Sequence, residues 1–429
     1  MTVANGTRGG GDSERVSRTL PLRPSIAVRF AIAGGLAVLG WFIFAQTLAQ
    51  VMTWNGNPAG AYQLAPWDAR NGAALAEVLA TPTVGNYLRA GELAETALRG
   101  DATAVGAAVT LAATAKISGQ AARSDRLFAY AERLSRRDLV TQLWEIQNAV
   151  ARGDVAQALR HYDIAFRTNL KARDLLFPVL SNATDDPEIR GGLIATLSQR
   201  PEWSDSFVSY VAAVGPDPKS SALLFKGLRQ AGVSIPRAAQ SQLVTTLIAR
   251  NLYGDAWEAY AAGRKTGSAQ NSRDPDFTVA VGDDAPAPFD WVPVTTPVIW
   301  TSAQRNGTKG LLVFSTGSNV AGILTQQLQL LKPGDYHLSG RSIGLDQPDA
   351  SRPYWTLRCQ PDGRDLGRVP LPNSTQGNGT FAGDFHVPVD CPLQVLALVA
   401  QASDSESGVS GQIERVELVP RAMMTGEGR

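Results

Sequence analysis

The cysteines carry the clearest chemistry in this 429-residue chain, which contains only two of them, Cys359 and Cys391. Outside the cytoplasm such a pair favours one disulfide, and two buried free thiols are the alternative. Closing a loop of about 33 residues would stabilise the fold by roughly 3–4 kcal/mol in the chain-entropy model. Neither thiol is expected to be a nucleophile, because no neighbouring cluster of histidine or lysine would lower its pKa.

The sequence contains none of the common catalytic motifs. The three histidines, His161, His337 and His386, lie in no HExxH motif and beside no second metal ligand. The chain also lacks a GxSxG nucleophile elbow, a phosphate loop and a dinucleotide-binding fingerprint. We therefore expect no catalytic residue, no metal and no cofactor. The alternative is a carbohydrate-processing enzyme, which would need two carboxylates facing each other across a cleft.

An uncharged apolar segment, Phe30 to Leu48, is the first element that positions the rest of the chain. At 1.5 Å per residue, a helix of about 19 residues is long enough to cross the hydrocarbon core of a bilayer. Five arginines precede this segment, and the first charged residue after it is Asp68. Positive charge stays on the cytoplasmic side, so the pattern predicts a single-pass anchor in the inner (plasma) membrane. The N-terminus would be cytoplasmic and the C-terminal domains periplasmic or otherwise extracytoplasmic.

A cleaved signal peptide is the alternative interpretation of this segment. Thr47-Leu48-Ala49 is an acceptable cleavage site for a signal peptidase. However, the tail before the apolar segment is long for a signal peptide, and the segment exceeds the usual apolar length of about 7–15 residues. These lengths favour a retained anchor.

The composition changes near residue 270, which indicates two domains behind the anchor. Alanine, leucine, arginine and glutamate at helical spacing give way to short runs of valine, threonine and aromatic residues between turn formers. The formal net charge of +1 gives no reason to expect a nucleic-acid partner. The sequence thus predicts an α+β multidomain chain with these parts: a basic cytoplasmic tail (1–25), a transmembrane helix (26–51), an α-helical repeat domain (57–263), a linker (264–273) and a β-sandwich (274–420).

The helical domain contains an internal repeat in which a glycine is followed by small and aromatic residues at fixed offsets. The two clearest copies start 34 residues apart, and a weaker third copy follows. The matching positions are Gly119, Phe128 and Ala131; Gly153, Ala158, Tyr162 and Ala165; and Gly254 and Ala259. This pattern resembles the tetratricopeptide repeat, in which helical hairpins stack. The resemblance implies a groove that binds partner proteins, whereas the aromatic residues of the repeats are expected to fill the stack.

Nine short strands are predicted between Phe277 and Leu418, which indicates a β-sandwich or barrel. The most diagnostic feature is a strand that runs into the turn Pro333-Gly334, after which Tyr336 opens a returning strand. This hairpin, Phe289-Asp290-Trp291 and the closing strand 412–418 resemble the jelly rolls of carbohydrate-binding modules. The resemblance covers about a third of the chain.

Such a module implies a sugar site built from exposed aromatic rings and polar side chains. Pyranose rings stack on aromatic faces, and amide, carboxylate and guanidinium groups bind the hydroxyls. The candidate ligand residues are Trp291, Trp300, Tyr354 and Trp355, with Arg341, Arg358 and Gln326 beside them. Tyr354 and Trp355 are adjacent on one strand, so they face opposite sides and only one of them is expected to be exposed. The alternative for each aromatic residue is a place in the core.

Together these features predict a non-enzymatic, membrane-anchored scaffold of the cell envelope. Its helical repeats would bind envelope proteins, and its jelly roll would bind glycan or another subunit. This combination is similar to accessory proteins of bacterial polysaccharide synthesis or export, an analogy of architecture alone. The alternatives are an envelope carbohydrate-processing enzyme and a purely protein–protein assembly factor.

Overall fold

A computed structural model describes residues 26–262, 264, 268–278, 286–306 and 309–421. Helices occupy the first part of the described chain and strands occupy the last part, which confirms the predicted α+β fold class. The α-helices are α1 (Ile26–Trp54), α2 (Pro58–Leu64), α3 (Ala69–Leu79), α4 (Tyr87–Gly100), α5 (Val105–Ile117), α6 (Ala121–Leu134), α7 (Leu139–Ala151), α8 (Val155–Thr168), α9 (Lys171–Asn182), α10 (Pro187–Ser198), α11 (Ser204–Val214), α12 (Pro218–Gln230), α13 (Arg237–Ala249) and α14 (Tyr253–Ala261). The β-strands are β1 (Val292–Pro293), β2 (Ile299–Asn306), β3 (Lys309–Thr316), β4 (Gly322–Gln329), β5 (Gly334–Ile343), β6 (Tyr354–Cys359), β7 (Asp365–Pro370), β8 (Thr380–Val387), β9 (Gln394–Ala400) and β10 (Val409–Pro420).

The chain divides into two compact units, Met1–Thr141 and Gln142–Arg429. The division falls within the helical region, inside α7, and the second unit contains the later helices together with all the strands. The predicted tail, residues 1–25, lies outside the described residues. The domain boundaries drawn from the sequence stay a prediction.

The first described element of the N-terminal unit is the long apolar helix α1. Within the described residues one helical stretch, Val28–Trp54, is long and apolar enough to span a membrane, by length and composition. The last turns of α1 pack against α2, where Ala49 meets Ala61 and Ala65 in a small buried cluster. Small side chains allow the two helix backbones to approach closely here. The possible cleavage site Thr47-Leu48-Ala49 lies within this helix, and Ala49 is fully buried.

The helical hairpins form as the repeat predicts at two of its three glycines. Gly119 and Gly153 lie between consecutive helices with φ of 75° and 70°, a conformation that glycine adopts without steric cost. The aromatic residues at the same repeat offset, Phe128 and Tyr162, are buried. The turn predicted at the third glycine is wrong, because Gly254 lies inside α14. Asn251, with φ 58°, makes the turn before this helix instead.

The strands form two five-stranded antiparallel sheets that pack as a β-sandwich. Sheet 1 has the order β1-β4-β9-β6-β7, and sheet 2 has the order β2-β3-β10-β5-β8. Side chains alternate along each strand, so one set fills the apolar core between the sheets and the other set faces outward. Two of the strands, β2 and β7, have no counterpart among the nine predicted ones.

Two local predictions in the sandwich are wrong. The Pro333-Gly334 turn joins β4 of sheet 1 to β5 of sheet 2, so it carries the chain between the sheets and closes no hairpin. The first predicted strand, 277–281, does not form over its described residues, because Phe277 has φ 50° and its ring packs in the core. Residues 279–281 of this predicted strand lie outside the described residues. A buried aromatic ring held by the core can maintain a backbone conformation that its own propensity disfavours.

Residues 268–273, at the end of the predicted linker, pack against the sandwich. Arg273 is 6% exposed, and its Nε donates to the carbonyl oxygen of Phe289 at 2.8 Å. Its guanidinium also donates to the side chain of Gln329 and to the carbonyl oxygen of Leu328. Burial lowers the pKa of Arg273 to about 10, which leaves it charged at neutral pH. The hydrogen bonds satisfy a cation that would otherwise be costly to bury.

The expected disulfide is present. Cys359, the last residue of β6, is bonded to Cys391, which precedes β9, with a Cα–Cα distance of 5.5 Å. Both cysteines are 1% exposed. The bond therefore joins the turns at one end of sheet 1, and the alternative of two free thiols does not apply.

Candidate functional site

The structure distributes the predicted ligand residues among three places, and the first is the core. Trp355 is 0% exposed and Trp291 is 5% exposed. Their ring centroids lie 5.6 Å apart, and the Trp291 Nε1 donates to the carbonyl oxygen of Asp274. Both indoles pack between the sheets, so neither presents a ring face to a ligand in this structure.

Tyr354, Arg358 and Gln326 share the outer face of sheet 1. Cross-strand registers place Tyr354 beside Val399, and Arg358 and Gln326 beside neighbouring residues of the same strand, β9. The Tyr354 ring is only 9% exposed, and the guanidinium of Arg368 lies over it, 4.7 Å from the ring centroid. A cation over an aromatic ring is a favourable contact. A sugar could therefore stack on Tyr354 only by displacing Arg368.

An ion pair holds Arg368 in this position. Its Nε donates to Oδ2 of Asp365 at 2.9 Å, while Oδ1 of Asp365 accepts from the hydroxyl of Thr356. Burial by itself would raise the pKa of Asp365. The hydrogen bonds from Arg368, Gly367 and Thr356 have the larger effect, so the pKa of this carboxyl lies below its ordinary value. The ionised carboxylate thus fixes the arginine above the tyrosine.

Trp300 and Arg341 lie on the outer face of sheet 2. Trp300 is 43% exposed on β2, an edge strand, while its neighbours Ile299 and Thr301 point inward and are buried. The outward positions of the adjacent strands hold hydroxyl and amide side chains together with the apolar Val313. We call this surface the Trp300 face, which comprises Trp300, Ser302, Val313, Ser315, Arg341, Ile343, Ser410 and Gln412.

The Trp300 face is broad and mainly polar. Strands in a sheet are spaced by about 4.8 Å, so β2 and β5, three positions apart in sheet 2, are separated by roughly 14 Å. Trp300 is in register with Ser315, which is in register with Ser410. The next outward row contains Ser302, Val313, Gln412 and the exposed apolar residue Ile343 of β5. One exposed indole beside rows of hydrogen-bonding groups suits a ligand with both apolar and hydroxylated surfaces.

Arg341 is held by neighbours at the other side of this face. Its Nε donates to the carbonyl oxygen of Asn378 at 3.1 Å, and its Nη1 lies 3.4 Å from Glu414. Lys309 approaches the same carboxylate at 4.0 Å. Such exposed pairs stabilise the fold only slightly, but they orient Arg341 along the sheet surface.

Two histidine–aspartate pairs continue the outer face of sheet 2. His337 lies opposite Asp384, and His386 lies opposite Asp335, each with a ring nitrogen 2.7 Å from the carboxylate. The hydrogen bond with His337 lowers the pKa of Asp384. Among the residues that the structure describes, no group of three or more His, Cys, Asp or Glu is placed to hold a metal ion.

Sequence reasoning missed the polar residues that surround Trp300. Ser302 belongs to β2, which has no counterpart among the predicted strands. Gln412 lies on a predicted strand, but the sequence pattern does not indicate which side of the sheet its side chain faces. The alternation of Ile299, Thr301 and Ala303 with more polar neighbours is the signal that predicts β2 and its outward residues. The assignment of individual ligand residues stays a prediction.

Comparisons with known proteins give structural neighbours only. No protein-family model matches the chain, and no curated protein matches it. One similar solved structure is a CBM4 carbohydrate-binding module, at 15% identity and a TM-score of 0.25; the match covers 35% of this chain and 99% of that one. Another is a tetratricopeptide repeat protein from Parabacteroides merdae, at 13% identity and a TM-score of 0.24, which covers 53% of this chain and 94% of that one.

Two further similar structures are larger proteins, and the match covers only a part of each. An α-L-arabinofuranosidase of the GH51 type matches at 14% identity and a TM-score of 0.28, over 37% of this chain. The tailspike protein 4 of bacteriophage CBA120 matches at 12% identity and a TM-score of 0.23, over 30% of this chain. The matches span 27% of the arabinofuranosidase chain and 19% of the tailspike chain. All four TM-scores are below 0.5, so we base the fold on the strands and helices of this chain itself.

Proposed function

We propose that this protein is a non-enzymatic, membrane-anchored scaffold whose β-sandwich binds a glycan along the Trp300 face. Among the predicted ligand aromatics Trp300 is the most exposed, and this observation carries the proposal. An exposed indole on an edge strand, with two serines in register beside it and Gln412 in the next outward row, suits a pyranose ring and its hydroxyls. The helical hairpins would bind partner proteins of the cell envelope, in polysaccharide synthesis or export.

The anchored location has two supports. The helix α1 has the length of a membrane span, and five arginines against two acidic residues precede its apolar segment. The disulfide between Cys359 and Cys391 suits an oxidising compartment, where such bonds persist. We therefore place the chain after α1 outside the cytoplasm, with residues 1–25 inside.

Replacing Trp300 by alanine is expected to weaken glycan binding at least tenfold, or about 1.4 kcal/mol. The reason is the loss of the stacking surface, since the exposed ring contributes little to the core. The measurement begins with a glycan array probed by the full-length protein in detergent micelles. Titration calorimetry with the best oligosaccharide then compares the wild type with Trp300→Ala.

Two variants control this experiment. Trp300→Tyr keeps an aromatic platform and should retain most of the affinity. Trp54→Ala removes an exposed tryptophan from the end of α1, outside the sandwich, and should bind like the wild type. Failure of the folded wild type to bind any glycan would contradict the proposal and favour a sandwich that binds protein alone. Hydrolysis of the oligosaccharide during titration would favour the carbohydrate-processing enzyme.

The protein is expected to keep its N-terminal helix after export. Ala49 is buried against α2 in the last turns of α1, so the sequence Thr47-Leu48-Ala49 is helical and is not an extended segment that a signal peptidase could bind. Intact-mass measurement and N-terminal sequencing of protein purified from membranes test this. A mature chain that begins at Gln50 would contradict it.

A further inference from the structure

The C-terminal unit contains a cavity of about 530 Å³ between helices α12 and α14. This volume lies within the range of about 300–1,000 Å³ that is typical of small-molecule sites. Apolar side chains from both helices, mainly alanines and Leu223, line part of it. The remaining lining residues are charged or aromatic, namely Lys219, Lys226, Arg229, Asp255, Trp257 and Glu258.

The wall formed by α12 is cationic. Lys219, Lys226 and Arg229 follow one another at helical spacing, so they project from one face of the helix. None of the three forms an ion pair with any residue that the structure describes. The Arg229 Nη1 is buried and, within the described part of the chain, has no hydrogen-bond partner. Burial also lowers the pKa of this guanidinium. Arg229 and the two lysines nevertheless line the cavity with no ion-pair partner among the described residues, so an anion bound there would neutralise their charge.

The wall formed by α14 combines an aromatic ring with two carboxylates. The indole of Trp257 lines the cavity and is supported from the sandwich side by Phe289, whose ring centroid is 5.5 Å away. The guanidinium of Arg273 also lies 5.4 Å from the Trp257 ring centroid. Asp255 and Glu258 line the same wall and form no ion pair among the described residues. Carboxylates in this position can accept hydrogen bonds from hydroxyl groups.

From these contacts we infer that the cavity binds an acidic sugar unit, whose negative charge is carried by a carboxylate or a phosphate. The anionic oxygens would lie against Arg229 and Lys226, since a guanidinium binds such groups with two parallel hydrogen bonds. The sugar ring would pack on Trp257, and its hydroxyls would donate to Asp255 and Glu258. This site is separate from the Trp300 face and does not depend on glycan binding there.

The mixed charge of the walls favours a sugar over an acidic peptide. Several carboxylates on a peptide would approach Asp255 and Glu258 as well as the cations, and like charges at short distance repel each other. A sugar unit presents one anionic group and several hydroxyls, which matches three cations facing two acceptors.

Titration calorimetry with the full-length protein in detergent micelles tests the inference. The probes are trigalacturonate, glucose 1-phosphate, methyl-esterified trigalacturonate and a tetraglutamate peptide. We expect trigalacturonate or glucose 1-phosphate to bind and the neutral methyl ester to bind at least tenfold more weakly. The first two probes distinguish a carboxylate from a phosphate. Quenching of tryptophan fluorescence that is lost in Trp257→Phe would locate the ligand.

Charge variants locate the anion. Arg229→Gln and Lys226→Gln should each weaken binding of the anionic sugar about tenfold, while Arg237→Gln, an exposed cation on α13 outside the cavity, should leave it within twofold. Lys226 is exposed, so its variant tests the site even if Arg229→Gln fails to fold. Trp300→Ala should leave this binding unchanged, which separates the cavity from the Trp300 face. Equal binding of the methyl ester, binding of the peptide alone, no binding of either anion, or no effect of the Lys226 variant would overturn the inference.

Discussion

Trp355→Ala is expected to destabilise the sandwich by about 3–5 kcal/mol, the usual cost of removing a large buried aromatic side chain. Trp355 is fully buried on β6, with Trp291 on one side and the Phe381 ring stacked at 6.5 Å on the other. Because the surrounding strands are held in their sheets by hydrogen bonds, the core cannot collapse to fill the space. The loss therefore includes both the transferred apolar surface and the remaining cavity.

Trp355→Phe is expected to cost much less than the alanine variant. The indole Nε1 of Trp355 has no hydrogen-bond partner among the described residues, so phenylalanine removes a buried donor that is unsatisfied. It also retains most of the ring that packs on Trp291. The order of stability should be wild type, then Trp355→Phe, then Trp355→Ala.

Urea unfolding of the full-length protein, followed by hydrogen exchange of peptides from β6 and β9, measures these differences within the sandwich. Trp300→Ala is the matched control, and its half-exposed ring should leave stability within about 0.5 kcal/mol. The two tryptophans thus separate packing from ligand contact. If Trp355→Ala kept full stability and lost glycan binding, the assignment of Trp355 to the core would be wrong.

The variant Cys359→Ala/Cys391→Ala is expected to lose about 3–4 kcal/mol of stability in the sandwich. The bond closes a sequence separation of 32 residues, and chain entropy of the unfolded state gives this magnitude for such a loop. The loop that it closes includes β7 and β8, so strands of both sheets depend on it. We expect a lower urea midpoint for the sandwich peptides and little change in the peptides of α3 to α6.

Reduced wild-type protein is the control for this variant. It lacks the bond but keeps both sulfur atoms, so the difference between reduced protein and variant measures packing alone. Because both cysteines are 1% exposed, dithiothreitol should reduce the bond only when urea unfolds the sandwich. Stability that is equal in the oxidised, reduced and doubly substituted proteins would contradict the entropic role of the bond.

The sequence predicts elements best where a local pattern repeats. The apolar segment of α1, the glycine turns at Gly119 and Gly153, and most strands of the sandwich follow from periodicity and turn chemistry. The disulfide follows from a count of two cysteines and an expected compartment. These features depend on neighbours in the chain or on composition, and both can be read without coordinates.

Turn chemistry does not specify which strand a returning segment pairs with. Pro333-Gly334 predicts a hairpin, but the strands on either side belong to different sheets. Pairing depends on which apolar faces the two sheets bury against each other, a property of residues far apart in sequence. The same limit applies to Gly254, where the helix α14 begins before the glycine and Asn251 makes the turn instead.

The sequence by itself determined the kinds of residue available for ligand binding, and only the tertiary structure decided which of them face solvent. Trp291, Trp300 and Trp355 are all tryptophans of the same domain, yet two fill the core and one is exposed at an edge. The two lysines and the arginine of α12 line a cavity only because α14 packs opposite them. Local alternation can separate the two faces of a strand, but long-range packing decides which face is covered and which distant helices pair.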